Sequence, residues 1–97
     1  MNINFTPQLR DGTLELSKMG NVLAVNGIEY DFSPLENDDE IHSSAIESEF
    51  ISGVVTRKEG VINLTIILPI TVDATHEQCW PTPQFNIPDG PITLPGG

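Results

Sequence analysis

Val61-Ile62-Asn63-Leu64-Thr65-Ile66-Ile67-Leu68 is the stretch that decides the fold class. Ile62, Leu64, Ile66 and Leu68 recur at every second position, and Val61, Asn63, Thr65 and Ile67 occupy the opposite face. A period of two in β-branched residues is a strand signature, and this run predicts a central strand. Phe50 to Arg57 precedes it as a second extended run. The tight connection Arg57-Lys58-Glu59-Gly60 joins the two as a hairpin. Pro69 is expected to close the second strand, because proline donates nothing to a ladder.

Upstream, short alternating runs are separated by turn residues. Ile3 and Phe5 alternate with Asn2, Asn4 and Thr6, which predicts a short strand ended by Pro7. Asp11-Gly12 marks a turn. Leu14 and Leu16 alternate with polar neighbours, predicting a strand over Thr13–Ser17. After Gly20-Asn21 comes Val22–Asn26, apolar on both faces. Asn26-Gly27 suits a type I′ hairpin, whose two central residues need φ > 0. In Ile28–Phe32, Ile28, Tyr30 and Phe32 face one side. These four strands read as an antiparallel meander, ended by Ser33-Pro34. Leu35 to Glu40 follows as an acidic loop, and Ile41 to Glu49 has the poor periodicity of a short helix at most.

The expected fold is therefore mainly β: a small antiparallel sheet or meander of about five to seven strands, with at most one short helix. Residues 1–69 form the antiparallel β domain. Residues 70–97, spaced by Pro81, Pro83, Pro88, Pro91 and Pro95, form an extended C-terminal arm packing on the sheet or on a partner. Within it, Gln84 to Ile87 and Ile92 to Leu94 are candidate edge strands. The predicted core is Leu14, Leu16, Leu23, Tyr30, Phe32, Val55, Ile62, Leu64, Ile66 and Leu68.

With 97 residues, 38% of them hydrophobic, the chain builds one thin core. Its formal net charge is −10. Eight of the acidic side chains fall between Glu29 and Glu49, and no Lys or Arg occurs between Lys18 and Arg57. Such a surface repels nucleic-acid backbones and anionic membranes, so neither is an expected partner. Cys79 is the sole cysteine, which excludes an internal disulfide. Met1 to Thr13 lacks the basic and apolar regions of a signal peptide. The longest apolar run, Ile66 to Ile70, is too short to span a bilayer.

Candidate chemistry is sparse. His76 and Cys79 lie three apart, but with His42 the chain holds three His and Cys in all, and structural zinc takes four such ligands. The acidic surroundings disfavour a thiolate at Cys79. Asn37-Asp38-Asp39-Glu40 offers hard oxygens but lacks the alternating ligands of an EF-hand loop. It reads as a solvated loop. Trp80 beside Pro81 reads as a packing anchor, and Pro88-Asp89-Gly90-Pro91 as a turn. No catalytic residue, metal ligand or cofactor site is expected. The candidate interaction surface is Glu36, Asp38, Asp39 and Glu40 together with Trp80, Pro81 and Pro83.

Three segments carry a family likeness: Met1-Asn2-Ile3-Asn4-Phe5-Thr6-Pro7-Gln8, Asn26-Gly27-Ile28-Glu29-Tyr30-Asp31-Phe32-Ser33-Pro34-Leu35, and Asp89-Gly90-Pro91-Ile92-Thr93-Leu94-Pro95. In this order they resemble small proteins encoded in the tail-gene regions of tailed bacteriophages and bacterial prophages. The resemblance implies a non-enzymatic, tail-associated structural or assembly protein. It would act through protein–protein contacts, with a tail component or another copy of itself, as a homo-oligomer in the latter case. Its place would be the bacterial host cytoplasm or the virion. The alternative is an acidic phage-encoded inhibitor that presents Glu29 to Glu49 as a polyanion mimic to a host nucleic-acid-binding protein.

Overall fold

The computed structural model describes residues 1–95; the last two residues of the expected arm lie outside it. The protein is mainly β, with eight strands in two four-stranded sheets among the described residues. In chain order these are β1 (Asn2–Leu9), β2 (Leu16–Met19), β3 (Val22–Val25), β4 (Ile28–Asp31), β5 (Glu40–His42), β6 (Ile51–Lys58), β7 (Val61–Ile70) and β8 (Gly90–Ile92). A 3₁₀ turn, Ser43–Ala45, follows β5, and a four-residue helix, α1 (His76–Cys79), lies between β7 and β8. The first sheet has the order β1-β7-β6-β5 and the second β4-β3-β2-β8. Neither closes into a barrel.

The hairpins follow their turn chemistry. Asn26 and Gly27 take φ of 51° and 83°, the pair of positive values that a two-residue turn between Val25 and Ile28 requires. Glu59 and Gly60 repeat this at 50° and 81° between β6 and β7. β7 is the central strand, held by β1 on one side and β6 on the other. Ile62, Leu64, Ile66 and Leu68 are all buried on one face. They meet Ile3, Phe5, Leu23, Val25, Phe32, Val55, Ile87 and Ile92 in one core that takes side chains from both sheets.

β1 departs from the expected meander. It pairs with β7 in parallel, Ile3 opposite Leu64 and Phe5 opposite Ile66, and its link to that partner runs through β2 to β6, three strands of the second sheet and two of the first. Nothing local announces a pairing of such sequence separation. The two prolines expected to stop strands lie inside them, for a single reason. Ile3 exchanges hydrogen bonds with Gln84 on the side of β1 away from β7. Pro7 shares that parity, so its missing N–H faces the open edge. In β7, the Ile67 N–H donates to Phe50 O and the Ile70 carbonyl faces Arg10 of the β1 side. Pro69 therefore points its nitrogen toward β6, beyond the point where β6 begins at Ile51, and no bond is lost.

Other expectations are corrected by side-chain bonds. The strand expected over Thr13–Ser17 starts only at Leu16. Ahead of it the Asn26 amide takes the place of a ladder, accepting from Glu15 N–H (2.7 Å) and donating to Thr13 O (3.0 Å). Tyr30 is half-buried, its hydroxyl donating to Glu47 O at 2.7 Å, and Ile28 is exposed. Gln84 makes a single bridge to Ile3 where a short strand was expected, and β8 begins two residues before Ile92. β6 carries a bulge between Ser52 and Thr56 with Gly53 at φ 71°. The irregularity keeps the alternation in phase, so Ile51 and Val55, four residues apart, both face the core.

Candidate functional site

The two halves of the candidate surface lie at opposite edges of the first sheet. The acidic loop runs into β5, one edge; the Trp80 segment runs beside β1, the other. The structure does not bring them together.

The acidic loop is a fixed loop, and the residue that fixes it is Arg57, which the sequence placed at the end of a strand and the start of a turn, with no role in the loop. Its guanidinium donates to Leu35 O, to Phe32 O (3.1 Å) and to Gly60 O (3.1 Å). Two more bonds add to this: Asp38 N–H donates to Arg57 O (2.8 Å), and Gly60 N–H donates to the Asn37 side-chain Oδ1 (2.8 Å). Leu35 plugs into the core below. Glu36, Asp38, Asp39 and Glu40 are all exposed. The one ion pair among them, Lys58 to Asp38 at 3.3 Å, is exposed too, where such pairs contribute little. The signal for Arg57 in the sequence was its isolation, the first cation after an acidic stretch.

The segment after β7 is built differently. Thr75 caps α1 by accepting from Gln78 N–H (3.3 Å), while Gln78 Oε1 accepts from Thr75 N–H (2.9 Å). Cys79 is half-buried, and His42 and His76 are exposed. Trp80 is 74% exposed, which corrects its reading as a packing anchor; Phe85, at 66%, is exposed too. Pro83 is exposed and Pro81 half-buried. The segment is nevertheless tied down. Gln84 exchanges two main-chain bonds with Ile3 (2.8 and 2.9 Å), and Ile87 N–H donates to Met1 O. Ile87 itself is buried in the core.

Asp89 then fastens the chain to the second sheet. Its Oδ1 accepts from Lys18 Nζ (2.7 Å) and from Gly20 N–H (2.9 Å), which sets β8 antiparallel to β2. These donors, the lysine first, hold the Asp89 carboxyl below its ordinary value. Desolvation, and to a lesser degree the Lys18 charge, lowers the amino-terminal pKa.

Among the described residues, no three His, Cys, Asp or Glu side chains gather to hold a metal ion. A hollow of about 500 Å³ lies over β2 and β8; Leu14, Leu16, Ala24, Ile92 and Leu94 give it an apolar lining, and Glu15 and Ser17 are its polar side chains. That lining offers mainly apolar contact, and no hydrogen bond joins the Ser17 hydroxyl to the Glu15 carboxylate. Among the described residues, no helix is long and apolar enough to cross a membrane. No family model, curated protein or solved structure matches the chain.

Proposed function

We propose that this chain is a non-enzymatic structural or assembly component of a phage or prophage tail, working through protein–protein contacts. The observation that carries the contact role is the pair Trp80 and Phe85. Two large aromatic side chains stand in solvent on a segment that main-chain bonds hold against β1. Exposed aromatics on an ordered backbone suit the centre of a protein interface, where Trp and Tyr contribute most of the binding energy. The tail assignment rests on the sequence resemblance, and the proteins would meet in the bacterial host cytoplasm or in the virion. The polyanion-mimic reading draws on a different observation: four exposed carboxylates on a loop braced by Arg57.

The test is fractionation. A tagged copy is expressed during prophage induction, and particles are banded on a density gradient. The tail reading expects the tag with particles or with tail assembly intermediates, and light scattering of the pure chain reports whether it self-associates. A tag found only with host nucleic-acid-binding proteins, released by salt, would overturn the tail reading in favour of the mimic.

A further inference from the structure

The second sheet ends in a strand whose outer backbone is free. β4 is an edge of that sheet, with β3 on its only paired side among the described residues. The phase of the β3–β4 ladder follows from one bond: Phe32 N–H donates to Asn21 O. In an antiparallel pair the bonded positions alternate, so Tyr30 and Ile28 face Leu23 and Val25 through their backbones. The N–H and C=O groups of Glu29 and Asp31 then point away from β3.

Beside this edge lies a groove of about 340 Å³ between β4 and the segment 47–50. Val25, Ile28, Tyr30 and Phe50 give it apolar walls, and Glu47 and Glu49 stand at its rim. The rim already holds one cation of the chain itself. Arg10 sits 5.2 Å from the Phe50 ring centroid, donates to Glu49 O at 3.2 Å and lies 3.5 Å from the Glu49 carboxylate.

We propose that the open edge of β4 and this groove accept an extended partner segment of alternating basic and apolar residues, by strand addition. Side chains on an added strand share faces with those of β4. Apolar positions would fall beside Ile28 and Tyr30 over the groove, and basic positions beside Glu29 and Asp31. A second copy of the chain is the wrong occupant. Antiparallel pairing of β4 with itself about Tyr30 would set Glu29 against Asp31 of the other copy, and like charges directly opposite are unfavourable. The inference goes beyond the contact at Trp80 and Phe85: it adds a second contact surface and names the chemistry of the segment that this one takes. Particle fractionation and the experiment below fail independently.

The probe is the peptide acetyl-Lys-Val-Lys-Val-Lys-Val-amide, titrated into ¹⁵N-labelled protein and followed by NMR. The expected result is saturable binding with the Glu29 and Asp31 amides exchanging at least about tenfold more slowly, and no binding of the Glu-Val counterpart. Glu29→Pro removes an outward N–H without touching the β3 ladder, and it should weaken binding at least about tenfold. Where that variant fails to fold, Glu29→Lys combined with Asp31→Lys serves instead: it should lose the basic peptide and gain the acidic one. Absence of binding at millimolar peptide, shifts confined to residues 36–40, or unchanged Glu29 and Asp31 exchange in the bound state would overturn the proposal.

Discussion

β7 and the chain that follows it make an instructive contrast. β7 has β6 beside its first part and β1 beside residues 63–70, and it buries every second side chain from Ile62 to Leu68, so its alternation is a direct imprint of its surroundings. After Ile70 the chain has little ladder to obey. It is positioned by a few separate points: the bridge at Gln84, the buried Ile87, the carboxylate of Asp89 and the three residues of β8. A strand held by periodic contacts announces itself in a periodic sequence. A segment held at isolated points leaves the intervening residues free, and here two of them, Trp80 and Phe85, are aromatic and exposed.

The contrast can be broken first at its strong end. Leu64 is 2% exposed in the middle of β7. Leu64→Ala should cost about 2–5 kcal/mol from lost burial plus the cavity left behind. Guanidinium unfolding monitored by circular dichroism would read this as a fall in midpoint with little change in slope. Because a domain of this size has only about 5–15 kcal/mol in hand, loss of the folded baseline at 37 °C is an equally consistent outcome.

Arg57 sharpens the comparison, since it braces the acidic loop from the end of β6. Arg57→Ala removes charge-assisted bonds to three main-chain carbonyls, a loss of about 1.5–3 kcal/mol. Proteolysis should then cut within residues 35–40 before the rest of the chain.

Asp89 probes the weaker end through pH. Its folded-state pKa lies below the ordinary 3.8, so its contribution is present above that value and is lost as the pH falls through the lowered one. Asp89→Asn should melt below the parent at pH 7, and the gap should close as the pH falls below 3.8 toward and through the folded value. Asp31, lowered by its bonds from Ser33, remains in both proteins and cancels in the comparison.

The smallest effect on stability belongs to Trp80. At its exposure, Trp80→Ala should change stability by no more than about 0.5 kcal/mol. A larger loss would make Trp80 part of the packing after all.

These regions also differ in how far residues alone revealed them. The mainly β class, the β3–β4 and β6–β7 hairpins and nearly all of the expected core were legible, because period and turn chemistry are local. Ile3 and Phe5 joined the core unannounced, since their burial depends on the parallel β1–β7 pairing. Phe50 and Ile51 joined it too, consecutive residues at the entry to β6 that simple alternation would set on opposite faces. Pro7 and Pro69 misled for a geometric reason. Which way a proline nitrogen faces depends on which strand lies on each side, and that is tertiary information. The candidate surface was legible in parts only. Charge marked the acidic loop, and the isolation of Arg57 after it was a signal that went unread, but nothing in the sequence indicated that Trp80 stands free of the core or that β4 offers an open edge.

The central claim is that the contact surface is the ordered aromatic segment rather than the acidic loop. The direct measurement is a pull-down from induced host lysate with three tagged proteins: the parent, Trp80→Ala combined with Phe85→Ala, and the charge reversal Asp38→Lys, Asp39→Lys and Glu40→Lys. The account predicts that the parent captures a phage structural protein, that the aromatic variant loses it while keeping its melting temperature, and that the charge-reversed protein retains it. Capture of a host nucleic-acid-binding protein, released by salt and abolished by charge reversal but not by loss of the aromatics, would contradict it.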